Sequence, residues 1–175
     1  MTSRSPRPAY ENVTGTRMLT TNWAQSTAMS GHIRVRRVEH SDPARVSDFC
    51  PFQGRDFDPV GSSVVLMAFA DENDQLPLGA AWLDQSNGSC VLRKMQVDPA
   101  WQHTGVGAAL LHAAVATGAS AEIWCLPWRH LIDFHASAGF ALASPDSAPD
   151  HIPSRLTKHV GWGLDIVLKK RDPEA

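Results

Sequence analysis

The stretch from Val97 to Leu111, VDPAWQHTGVGAALL, constrains the fold of this chain more than any other. A strand-like end runs into a proline, and Gly105 and Gly107 open an apolar run. Val106, Ala109, Leu110, Ala113 and Ala114 recur at the spacing of a helix face. A chain that turns this sharply from strand to helix leaves the first helical amides without backbone partners, at the positive end of the helix dipole. Such a turn is an anion site, and the two glycines remove side chains that would keep a diphosphate away from the amides. Two commoner phosphate loops do not match. A dinucleotide fingerprint needs Gly or Ala where Leu110 stands and an acid closing the next strand; a nucleotide-triphosphate loop needs Gly-Lys followed by Ser or Thr. The plain alternative is that the glycines only shape the turn.

On either side of this turn the apolar period changes. HIRVRRV (32–38) alternates as a strand, and SDPARVSDF offers Asp42 as a cap with Pro43 at the first helical position. SSVVLMAFA (62–70), LGAAWLD (78–84) and SCVLRKMQV (89–97) read as an antiparallel meander joined by the turn-forming DENDQLP and SNG. After the turn, a helix runs to Gly118, AEIWCL (121–126) reads as a strand, and PWRHLIDFHASAGF reads as a helix closed at Gly139. SPDSAPDHIPS is expected to be a Pro-rich loop before a last strand, HVGWGLDIVL (159–168). The order is β-α-β-β-β-α-β-α-β-β, without an internal repeat.

Composition narrows the function classes. A chain of 175 residues with 43% apolar residues suits one core and one domain. Residues 1–30, rich in Ser and Thr with no sustained apolar period, are expected to be a flexible arm, 31–170 the folded domain and 171–175 a tail. Met18 and Met29 are both candidate starts, and the arm's resemblance to an organelle transit peptide lacks the amphipathic helix such peptides need. A formal charge of −2 gives no basic excess, so no nucleic-acid partner is expected. Cys50, Cys90 and Cys125 form neither a CxxC pair nor an even disulfide set, which suits a reducing cytoplasm. No run approaches the roughly 20 apolar residues of a membrane span, so no membrane partner is expected.

Gln102-His103-Thr104-Gly105-Val106-Gly107, preceded by Val97-Asp98-Pro99, resembles the acetyl-CoA signature of the GNAT superfamily of N-acetyltransferases, in which Gln or Arg is followed three and five residues later by Gly. Phe134-His135-Ala136-Ser137-Ala138-Gly139-Phe140 resembles the family's Phe-Tyr-x-x-x-Gly-Phe segment on the following helix. The resemblance covers about residues 31–169. It implies an α+β fold with a central, mostly antiparallel mixed sheet of about seven strands flanked by helices, splayed between strands 4 and 5. It implies acetyl-CoA as co-substrate and direct transfer to an amine. The backbone of Met95, Gln96 and Val97 would pair with the pantetheine arm, and the turn Gln102, His103, Thr104, Gly105, Val106, Gly107 and Ala108 would hold the pyrophosphate. A backbone amide near Val97 would steady the oxyanion, and a helix tyrosine would protonate the departing thiolate.

Three departures stand against that pattern. His135 replaces the tyrosine, the chain's only tyrosine being Tyr10; a histidine of ordinary pKa can supply a proton to a thiolate, so His135 is the expected general acid, beside the plainer option of a polar helix residue that only touches the cofactor. Val91 falls where some relatives carry a catalytic glutamate. Trp128 falls where a helix-start asparagine often meets the cofactor, either packing on it or serving the core. His112, His130 and His151 stand at no metal-ligand spacing, so no metal is expected. Asp56 and Asp58 would meet a cationic amine if their loop lines the acceptor cleft; solvated loop acids are the plainer reading. The expectation is an acetyl-CoA-dependent N-acetyltransferase with an unnamed amine acceptor. The alternative is a non-catalytic acyl-CoA sensor on the same fold, and a homodimer is left open.

Overall fold

The computed structural model describes residues 33–38, 63–70, 76–85 and 89–173. The expected arm (1–30), the helix opening at Asp42 and Pro43, Cys50, and the loop bearing Asp56 and Asp58 lie outside the described residues.

Among the described residues seven strands form one sheet: β1 (Arg34–Val38), β2 (Ser63–Phe69), β3 (Pro77–Asp84), β4 (Cys90–Val97), β5 (Ile123–Cys125), β6 (Ala141–Leu142) and β7 (Lys169–Arg171). Their spatial order is β1-β2-β3-β4-β5-β7-β6, and every pairing is antiparallel except β4 with β5. Among the described residues three α-helices flank it: α1 (Val106–Thr117), α2 (Ile132–Ala136) and α3 (His151–Gly161). The expected mixed, mostly antiparallel sheet with flanking helices is present.

The two sheet faces follow from the period-two alternation of side chains. Val64, Leu66 and Ala68 of β2 face α1 and pack with its Val106, Leu110, Leu111, Ala114 and Val115. Val65, Met67 and Phe69 face the other way, with Ala80 and Trp82 of β3. Both faces of β2 and β3 are buried, so their sequences read as unbroken apolar runs. A smaller cluster joins Val91, Trp124 and Leu168 to Ile152 of α3.

β4 positions the site through two irregularities. Opposite β3, Trp82 pairs with Lys94 and Leu83 with Leu92, so Arg93 is an extra residue that bends the strand. Opposite β5, parallel pairing is confined to Cys90 with Ile123, Val91 with Trp124 and Leu92 with Cys125. Beyond Leu92 the two strands part, as the resemblance implies.

The C-terminal third differs from the sequence expectation. The second helix is a 3-10 turn, Arg129–Leu131, followed by only five α-helical residues before Gly139, which adopts φ +85°. SPDSAPDHIPS is not one loop: it holds a 3-10 turn, Pro145–Ser147, and the start of α3. Pro153 lies in the first turn of α3, where its absent N–H is not needed. The stretch 159–168 begins inside that helix, which stops before Gly163 at φ +80°. Ile166 forms an isolated bridge with Trp128, and the strand itself starts at Lys169 and takes in Arg171, one residue into the expected tail. The spacing of Ile152 and Leu156, one helical turn apart and both packed inward, was the overlooked helix signal.

Candidate active site at the strand splay

The glycine turn is built residue by residue. Asp98 caps a 3-10 turn, Pro99–Trp101, by accepting the Ala100 N–H at 2.8 Å. Thr104 Oγ1 donates to the Trp101 carbonyl at 2.7 Å, and Gln102 Nε2 points back to the Val97 carbonyl at 3.5 Å. His103 (φ 63°) and Gly105 (φ 96°) both adopt left-handed backbone, which turns the chain into α1. Ala109 is the first amide to find a helical acceptor, the Gly105 carbonyl at 2.9 Å. Among the described residues the amides of His103 through Ala108 have no backbone acceptor, so they stand at the positive end of a 12-residue helix.

The two glycines do different work. A Cβ on Gly105 would meet only Ile33 Cδ1, at 3.9 Å, so that position is open as an anion site requires. A Cβ on Gly107 would lie 3.4 Å from Phe134 Cζ and 3.7 Å from Val97 Cγ2. A Cβ on Gly107 would thus make ordinary contacts with α2 and β4 rather than stand in front of the amides. The Val106 side chain is fully buried, leaving only its backbone to a ligand.

A cleft of about 280 Å³ opens where β4 and β5 part. Its walls are Leu92 to Gln96 of β4, Cys125 to Trp128 after β5, and Leu131 and His135. Of the residues expected at the cofactor, Met95, Gln96, Trp128 and His135 line this cleft. Val97, Gln102 and the turn up to Ala108 are not among its walls; they follow Gln96 along the chain, at and past the end of β4. Trp128 is 45% exposed and stacks on His130 at 6.4 Å, so it stands at the mouth rather than in the core. Val91 packs with Trp124, Ile152 and Leu168, an apolar setting that offers no base.

His135 is only 4% exposed, wedged edge-on between the rings of Phe134 and Phe140. Its Nδ1 lies 3.0 Å from the Leu131 carbonyl; an oxygen there can only accept, so Nδ1 carries the proton. Burial lowers the pKa of the ring below 6.5, against an opposing pull from that hydrogen bond and with a further downward push from Lys169. A neutral ring protonated at Nδ1 has a bare Nε2. In that state Nε2 accepts a proton, and the ring gives one to a leaving group only after it has been protonated.

Sequence reasoning overlooked Arg93, Cys125 and Lys169. Arg93 donates to Asp84 at 2.6 Å, Cys125 lies in the cleft wall, and Lys169 is 1% exposed with its Nζ donating to the Ile132 carbonyl at 2.7 Å. Nothing in Ile166-Val167-Leu168-Lys169-Lys170-Arg171 marks the first lysine as the buried one except its place in the alternation.

Neither protein-family models nor curated proteins give a match to this chain. Solved structures do. An acetyltransferase of the GNAT family from Staphylococcus aureus Mu50 aligns with a TM-score of 0.56 and 16% identity, over 82% of this chain and 100% of that one. A Bacillus subtilis acetyltransferase in complex with CoA aligns at 0.58 and 13% identity, over 82% and 100%. N-acetylglutamate synthase from Neisseria gonorrhoeae, complexed with coenzyme A and L-arginine, aligns at 0.58 and 16% identity over 82% of this chain; the alignment takes in 34% of that longer chain. The strand order, the single parallel pair, the splay beyond Leu92 and these neighbours together show that the chain has the GNAT acetyltransferase fold.

Proposed function

We propose that this protein transfers the acetyl group of acetyl-CoA directly to an amine of a small molecule or protein. The observation that carries this reading is the placement of amides from His103 to Ala108, without a backbone acceptor among the described residues, at the same end of the sheet as the cleft between β4 and β5. An elongated ligand with a diphosphate at one end and a reactive group at the other fits that arrangement. The amides meet the phosphates, and the β5-facing edge of Arg93 to Val97, without a strand partner among the described residues, meets the amide-bearing arm.

In the reaction, the amine nitrogen attacks the thioester carbonyl carbon, a C–N bond forms, the C–S bond breaks, and the electron pair leaves on sulfur. His135 is the proposed catalytic residue, acting as proton carrier. Its bare Nε2 takes the proton from the attacking nitrogen and then, as an imidazolium more acidic than usual, returns it to the sulfur. The protein's other contribution is to hold the reactants together in the cleft.

Calorimetry with acetyl-CoA, together with thiol release in the presence of a panel of amines, tests the proposal. One cofactor bound per chain and thiol released with at least one amine are expected. A second reading, a non-catalytic acyl-CoA sensor, is favoured by the absence of a tyrosine at position 135 and of a β4 carboxylate at position 91. It expects binding at the same stoichiometry with no thiol released by any amine.

A further inference from the structure

Lys169 is the largest charged side chain in the interior among the described residues, and the chemistry above does not use it. It is 1% exposed, and its Nζ donates to the Ile132 carbonyl at 2.7 Å. No carboxylate of the described residues lies within ion-pair distance of it. Its neighbour Lys170, by contrast, sits on the other face with Glu122 at 3.1 Å and Asp172 at 2.7 Å. Removing an ammonium from water costs several kcal/mol, and one carbonyl offsets only part of that. A buried cation without a counterion favours any negative charge that forms nearby.

The placement of Lys169 tells where that charge would be. In the β5–β7 ladder Lys169 is the register partner of Cys125, which lines the cleft. Its Nζ reaches α2 at Ile132, and His135, three residues on, lines the cleft from the same helix. Lys169 and His135 hold adjacent carbonyls, Ile132 and Leu131. The groups facing Lys169 are therefore Cys125 from β5 and His135 from α2, while Arg171 on its own strand turns its Nε to the Ala138 carbonyl at 3.1 Å. Both cleft groups register the charge: it pushes the His135 pKa down and pulls against the burial that drives Cys125 up.

We propose that Lys169 is the buried positive charge, lying behind Cys125 and His135, that stabilises the sulfur anion formed when the thioester bond breaks. This inference rests on the acetyl-transfer reading. The C–S bond breaks with its electron pair on sulfur, Lys169 keeps its own protons, and the proton that completes the thiol arrives afterwards from His135 or water. The departing group then needs no proton in the transition state, which accounts for a site with a neutral histidine where a tyrosine is usual.

The test titrates the thiol of CoA bound to the intact protein, followed by thiolate ultraviolet absorbance, beside free CoA in the same buffer. Bound thiol is expected to ionise at least about one pH unit below free CoA. In Lys169→Met and Lys169→Gln, which fill the space without the charge, the shift is lost; in Lys169→Arg it keeps its sign. A lysine that served only as a strut between β7 and α2 would leave the bound thiol at the value of free CoA. That result in the parent protein overturns the inference even if neither neutral variant folds. Persistence of the full shift in a folded Lys169→Met protein overturns it as well. If CoA does not bind at all, the acetyl-transfer reading fails first and takes this inference with it; if CoA binds and its thiol is unshifted, only this inference fails.

Discussion

The Nδ1–H of His135, a residue of the cleft wall, donates to the carbonyl of Leu131 at 3.0 Å, which leaves the other ring nitrogen as a bare acceptor. His135→Phe keeps the packing against Phe134 and Phe140 and removes that acceptor. With an accepted amine, kcat is expected to fall by roughly 100-fold to 10,000-fold with little change in acetyl-CoA affinity. Because the neutral ring is the active form and its pKa lies below 6.5, kcat/KM is expected to be flat above that value and to fall only as the pH drops through the lowered pKa. A rate within threefold of the parent in His135→Phe removes the proton-carrier role.

The same ring links stability to pH. In the unfolded chain the histidine binds its proton near pH 6.5, and in the folded chain only at lower pH, so acidification loads protons preferentially on the unfolded state. Its contribution to stability is full above pH 6.5 and is lost as the pH falls through the folded value. Melting temperatures measured between about pH 7 and about pH 5 should therefore fall less steeply in His135→Phe than in the parent.

Gly105 is held at φ +96°, where a β-branched residue costs about 1–3 kcal/mol, on an exposed turn that can move without opening the core. Gly105→Val is expected to keep a native far-UV circular dichroism spectrum and to weaken acetyl-CoA binding by at least about tenfold, a loss of ~1.4 kcal/mol. Normal affinity in a folded Gly105→Val protein would mean that the turn amides do not hold the phosphates.

Two other glycines separate packing from ligand binding. A Cβ on Gly79 would lie 2.8 Å from the Gln96 carbonyl oxygen and 2.8 Å from Leu110 Cδ1, so Gly79→Ala must push β3, β4 and α1 apart. About 1–3 kcal/mol is expected to be lost, several degrees in Tm for a domain of this size. Gly107→Ala meets only ordinary contacts and is expected to stay within about 1 kcal/mol of the parent. Thermal melts of both variants check this ordering.

Burial drives the Cys90 thiol up to about 11 and the Cys125 thiol up to about 12. At about pH 8 almost no thiolate is present at either site, so iodoacetamide should label neither in the native protein and both in urea. Peptide mass spectrometry reads the two positions separately. Ready labelling of native Cys125 would show that the cleft wall opens.

The glycine turn, the helix it starts and the meander before it were legible in the sequence because each is a local matter. Gly105 in left-handed backbone, Asp98 as cap and the spacing of Val106, Leu110 and Ala114 act within a turn or two of chain, whatever surrounds them. Where α3 begins was less legible: two prolines and alternating residues after Val160 mimic loop and strand, and the packing of Ile152 and Leu156 against Val91 and Trp124 decides for helix. The state of His135 was outside the reach of sequence altogether. Its identity is local, but its neutral form comes from burial among rings and from a lysine supplied by the fold, against the pull of the Leu131 carbonyl. Lys169 lies 34 residues further along the chain and reaches α2 only because β7 pairs with β5. Desolvation and charge act through space, so proton affinity is set by tertiary structure, whereas backbone turns act through the chain and can be read along it.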